Sequence, residues 1–156
     1  MNTQQTALLN NLKIIKPNFH AFTARFHNKL AESDIKMDYP AASYFNEKSF
    51  TLFCVLERII KHLNKPSSVA PFLVHHLAYL KNSGATQNDI TILSDAFYET
   101  LKEHLGTYFT HESQLAWRDA LNFFEKFANN TLFNVSNVIS LQQKIQQNRA
   151  TIFNPR

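Results

Sequence analysis

Glycine occurs only twice in 156 residues, at Gly84 and Gly106. A chain so poor in glycine, with few alternating runs of Val, Ile and Thr, has little material for strands and hairpins. Helices joined by short turns are the expectation. Gly106 closes the run Ile90, Leu93, Phe97, Leu101 and Leu105, whose spacing of three and four puts every member on one helix face. Thr86 stands where that helix needs a cap, and Gly106 where it needs a stop.

The same logic marks about seven helical segments. Thr3 is placed to cap a first helix reaching about Lys16, with Leu8, Leu9, Leu12 and Ile15 on one side. Pro17 suits the first turn of a second helix running to about Ser33, its seam Phe19, Phe22, Phe26 and Leu30. The stretch from Asp34 to Tyr44, broken by Pro40, reads as irregular. Asn46 reads as the cap of a helix to about Leu63, and Ser67 or Ser68 as the start of another to about Lys81, with Pro71 in its first turn. Thr110 caps the last long helix, which carries Ala116, Ala120, Phe124 and Phe127. Residues 1–133 form one domain. The tail 134–156 is polar apart from Val138, Ile139, Leu141 and Ile145; it extends the last helix or forms a loosely held arm.

Composition narrows the class of function. Hydrophobic residues make up 44% and charged residues 18%, a globular balance. The net charge of +4 is scattered, with no basic run longer than two, which argues against nucleic-acid binding. Cys54 is the only cysteine, so no intramolecular disulfide framework exists, and it reads as a small core hydrophobe. The N-terminus lacks the layout of a signal peptide, and no apolar run approaches the roughly 20 residues that span a bilayer. A cytoplasmic protein is the expectation. Fourteen phenylalanines suit a core that packs flat aromatic surface.

His75 and His76 sit late in the apolar run PFLVHHLAYLKNSG, before the Gly84 break, and two long amphipathic segments follow. An imidazole on the apolar face of a short helix, backed by two longer ones, is what a protein needs to hold haem iron from one side. A partly buried histidine with a satisfied hydrogen bond is the plainer alternative.

From about Pro71 to Phe127 the segment order resembles a globin, in particular the bacterial single-domain type related to the globin domain of flavohaemoglobins. The resemblance is carried by the His-bearing helix, the Gly-containing turn, the polar start TQNDI, the run LSDAFYETLKEHLG and the pair Ala116–Trp117 with its apolar stripe. QQTALLNNLKIIKPNFHAFTARFHNKL is similar more loosely. The resemblance implies an all-α globin-like fold of about seven helices. It also implies haem b and reversible binding of a diatomic gas (oxygen, NO or CO) for transport, storage or sensing. The family's proximal iron ligand falls on His76. Neighbouring helical residues point about 100° apart, so His75 becomes the outward neighbour.

The inward stripes then nominate Phe26, Tyr39, Val55, Phe72, Leu80, Leu93 and Phe97 as walls of the haem pocket. On the distal side the family often places a tyrosine; His27 stands at the matching position, and Glu47 and Lys48 lie nearest the matching place on the fourth helix. A glutamate beside a ligand oxygen would repel it unless protonated. The tyrosine and glutamate that flank the proximal histidine in flavohaemoglobins match the apolar Ile90 and Leu132, and no flavin or nicotinamide domain follows. A self-sufficient NO dioxygenase is therefore not expected. Accessory NO dioxygenase or peroxidase-like activity, a separate reductase and a homodimer stay open, without nucleic acid or membrane as partner.

No GxSxG, HExxH, CxxC, P-loop or dinucleotide fingerprint occurs. The alternative from a different class is a haem-free globin-like helical interaction or sensor domain, and an absorption spectrum separates the two.

Overall fold

The computed structural model describes residues 2–133; the expectation for the tail 134–156, with its apolar Val138, Ile139, Leu141 and Ile145, lies outside the described residues. Seven α-helices follow in order among the described residues, with no strand. They are α1 (Thr3–Ile15), α2 (Phe19–Ala31), α3 (Ala42–Glu47), α4 (Ser49–Lys61), α5 (Pro66–Asn82), α6 (Gln87–Leu105) and α7 (His111–Phe133). The all-α expectation of about seven helices holds.

Several starts differ from the sequence reading, each for a local reason. Asn2 rather than Thr3 caps α1: its side-chain oxygen accepts from the Gln5 amide at 2.6 Å, and Thr3 is already helical. Pro17 falls in a 3-10 turn, Lys16–Asn18, that tips the chain from α1 into α2. Asn46 lies inside the short α3 and so has no free side-chain position from which to cap α4. Pro66, with no amide hydrogen to leave unpaired, opens α5 one residue before Ser67, and Pro71 consequently falls inside the helix rather than in its first turn. At Thr86 the expectation is met in full. Its hydroxyl accepts from the Asp89 amide at 3.1 Å while the Asp89 carboxylate accepts from the Thr86 amide at 2.9 Å, a capping box. Gly106, at φ +54, ends α6, and the Thr110 hydroxyl accepts from the Ser113 amide at the start of α7.

Helix packing places the core between α1, α2, α6 and α7, with α4 lying across α1 and α2. Trp117 is almost wholly enclosed there among Leu12, Ile15, Phe22 and Leu101. Its indole donates to Asn11 Oδ1 at 3.0 Å, so neither buried polar group is left unpaired. Phe19 and Phe22 stack at 5.2 Å, and Phe22 meets Phe97 edge-on at 5.3 Å. Gln5 reaches from α1 to the end of α4, donating to the Ile60 and Lys61 carbonyls at 3.1 and 2.9 Å. Both carbonyls lie in the last turn of α4, where the helix offers no i+4 amide of its own; the Ile60 carbonyl also accepts from the Leu63 amide at 3.3 Å.

The irregular segment 32–41 is held by the same residue that starts α6. Asp89 Oδ1 accepts from the Lys36 amide at 2.7 Å, and the Asp38 amide donates to the Ser83 carbonyl. Burial alone pushes the Asp89 carboxyl up, but donors from Lys36, Thr86 and Met37 outweigh it and hold the group below its ordinary value. Among the described residues no helix is long and apolar enough to cross a membrane.

Candidate functional site

Where α4, α5, α6 and α7 converge, a cavity of about 310 Å³ remains, closed at one side by Phe26 of α2. Its walls are built by helical spacing. On α4, Leu52, Val55, Leu56 and Ile59 recur at three and four; on α7, Trp117, Ala120, Leu121 and Phe124 do the same. Leu93 and Phe97 come from α6, Leu73, Leu77 and Leu80 from α5. Three lining residues carry polar side-chain atoms: His76, Ser94 and Trp117. The indole of Trp117 is committed to Asn11 and Ser94 is buried, leaving His76 with the one imidazole on the wall.

His76 sits at the rim, exposed on one side and facing the cavity on the other. Its ring meets Phe72 edge-on at 4.5 Å, and the Arg58 guanidinium of α4 lies over the other part of that aromatic pair, 4.6 Å from the Phe72 centroid. Partial burial, then the neighbouring His75, then Arg58 lower the His76 pKa, so the imidazole stays neutral near pH 7 with a lone pair available. Among the described residues no three His, Cys, Asp or Glu side chains come close enough to hold a metal ion by themselves. One imidazole on an apolar wall suits a metal that arrives with its other ligands attached, as in a haem, and the residues present fit such a group.

Of the residues nominated from sequence, His76, Phe26, Val55, Leu80, Leu93 and Phe97 are brought together on the cavity lining. Phe72 and Tyr39 are not on it, and neither are the distal candidates His27, Glu47 and Lys48. Phe72 lies one turn before His76 and packs outward between it and Arg58. His27 is sandwiched between Tyr39 at 5.5 Å and Phe45 at 5.6 Å, so α3 and the segment before it cover the ring that was to face the cavity. Glu47 and Lys48 are exposed at the junction of α3 and α4, a turn ahead of the inward stripe that begins at Leu52. The α4 wall is consequently apolar throughout. No individual residue of α7 was nominated for the wall, although the spacing of Trp117, Ala120, Leu121 and Phe124 was its signal.

The helix pairing seen here, with α1 against α7, α2 against α6 and α5 laid on α7 beside the cavity, leads to the comparisons with known proteins. No curated protein matches the sequence. Residues 36–128 match the globin family model, a span that takes in α3 to α6 and most of α7, including His76 and the greater part of the cavity wall. With well over half its length matched, the chain belongs to the globin family.

Proposed function

We propose that this globin, of the bacterial single-domain type, would hold haem b in the cavity through the His76 imidazole, and that the haem would there take up a diatomic gas beside the apolar α4 wall. The observation that carries the proposal is the position of His76, the only imidazole on the lining, at the rim of the cavity. Bound haem supplies the iron to which a gas attaches. The chain's own residues do the rest. Phe26, Phe97 and the leucines of α5 and α6 exclude water from the site, and Arg58 places a cation beside His76 for the carboxylates of a tetrapyrrole.

The apolar α4 wall bears on which gas is retained. Leu52, Val55, Leu56 and Ile59 offer no hydrogen bond to a bound ligand. Such a bond contributes roughly 1–2 kcal/mol, about a tenfold change in release rate. Oxygen, which gains most from a donor, would therefore be held less long at such a wall than CO or NO. Sensing or redox handling of such a gas suits the site better than long-term oxygen storage.

Absorption spectra of the purified protein titrated with haemin, in ferric, ferrous and CO-bound forms, test this. A Soret band saturating at one haem per chain, shifted by CO, is the expected result. A protein that takes up no haem is instead a helical interaction domain built on the globin fold.

A further inference from the structure

A second cavity, of about 170 Å³, lies between the start of α1, the turn joining α4 to α5, and α7. It abuts the first: Leu63, Ala120 and Phe123 line both, and all three are half-buried. The two spaces differ in character. The first is almost wholly apolar, while the second is rimmed by the amides of Asn2, Gln4 and Asn64 and by the carboxylate of Asp119.

The walls of this vestibule are fixed and its cover is not. Gln5 fastens α1 to the end of α4 through the buried bonds to the Ile60 and Lys61 carbonyls. Across the opening, Gln4 Nε2 donates to Asp119 Oδ2 at 2.7 Å, joining α1 to α7 in an exposed position. Water competes directly for such a bond, so it opens and closes without disturbing the helices. Beneath it, Leu63, the small Ala120 and Phe123 are the residues that line both vestibule and cavity, and none of the three is fully buried.

We propose that the vestibule is an entrance to the cavity for small uncharged gases, with Leu63, Ala120 and Phe123 as an apolar partition and the Gln4–Asp119 bond as a strap across its mouth. The partition passes a diatomic gas and holds back ions, whose transfer into apolar surroundings is strongly unfavourable. None of the three partition residues is His76, so the entrance is separate from the rim where the imidazole sits. The gas as occupant rests on the function proposed above; the partition itself does not.

The experiment is CO rebinding after laser photolysis of the haem-loaded protein. Asn64→Trp places a bulky ring in the vestibule mouth, and Gln4→Ala removes the strap; neither residue lines the haem cavity. With the Soret band at its wild-type position, Asn64→Trp slows bimolecular CO association about fivefold and Gln4→Ala speeds it roughly twofold. Rates unchanged in both variants overturn the proposal. If Asn64→Trp does not fold, Asn64→Phe makes the same test with a smaller ring and leaves the Gln4–Asp119 strap in place. If the wild-type chain shows no Soret band, the haem function fails on its own, and xenon exchange followed by NMR on the unloaded protein reads the partition instead. Slower exchange in Asn64→Trp supports the entrance, and equal exchange refutes it.

Discussion

Helices α5 and α6 are neighbours of similar length, yet they are committed to the fold to very different degrees. α6 starts in a reciprocal capping box, ends at a glycine with positive φ, and encloses Asp89, Ile90, Ser94, Ala96, Thr100, Leu101 and Leu105. α5 has no side-chain cap, starts at one proline, carries another inside, and fully buries only Val69, Leu73 and Leu77. Of the two, α6 is scaffold, and α5 presents the imidazole. The lesson is that the helix offering His76 leaves its inner face partly unfilled against the cavity, so a group bound there would supply contacts that the fold itself does not. Binding of that kind stabilises a protein by mass action, about 2.7 kcal/mol at a hundredfold excess over Kd.

The contrast breaks most severely at the scaffold. Trp117→Ala empties the space between α1, α2 and α6 and leaves Asn11 Oδ1 without its donor. A loss of about 3–5 kcal/mol in urea unfolding is expected. A loss below about 1 kcal/mol would mean that the core between α1, α6 and α7 is not the rigid part of the molecule.

Asp89 is the next most sensitive point, because one carboxylate closes the capping box and anchors residues 32–41. Asp89→Ala should cost about 2 kcal/mol at neutral pH. The carboxyl is held below its ordinary value in the folded state, so its contribution is present in full above the unfolded value, about 3.9, and is lost as pH falls through the lowered folded value. The gap between wild type and Asp89→Ala, measured by urea unfolding across pH, should therefore be constant from neutrality to about pH 5 and close at lower pH. A gap that widened on acidification would contradict the bonding described for Asp89.

On α5 the outer face should be nearly silent. Val74 is 47% exposed, and Val74→Ser should change stability by no more than about 0.5 kcal/mol. A larger loss would show that α5 is covered by something other than solvent on that side.

How far the sequence led follows the same division. Helix identity and order were readable wherever spacing, cap and stop agreed, as from Thr86 to Gly106 and from Thr110 onward. They were less readable where prolines compete for the same boundary: Pro66 and Pro71 both suit a first turn, and only packing selects Pro66. At the site, Leu80, Leu93 and Phe97, nominated from inward stripes, lie on the cavity lining, as does His76, which the family resemblance supplied. Phe72 of the same α5 stripe does not. The far side was not readable. His27 is a polar residue at a plausible register, but the short α3 brings Phe45 and the segment before it brings Tyr39 against that ring. Such contacts between residues distant along the chain leave no periodic trace. The apolar α4 wall needed a correct start for α4, and the Asn46 cap signal pointed a few residues too early.

The central claim is that His76 on the loosely committed α5 is the haem ligand. It is tested most directly by the ferrous–CO absorption spectrum of His76→Gly beside His75→Gly, each recorded with and without added imidazole. His75→Gly should keep the wild-type spectrum. His76→Gly should lose haem or shift its Soret band, and free imidazole, filling the space left by the side chain, should restore the wild-type position. A His76→Gly protein with an unchanged spectrum would contradict the assignment, and loss of the band in His75→Gly instead would place the ligand one residue earlier.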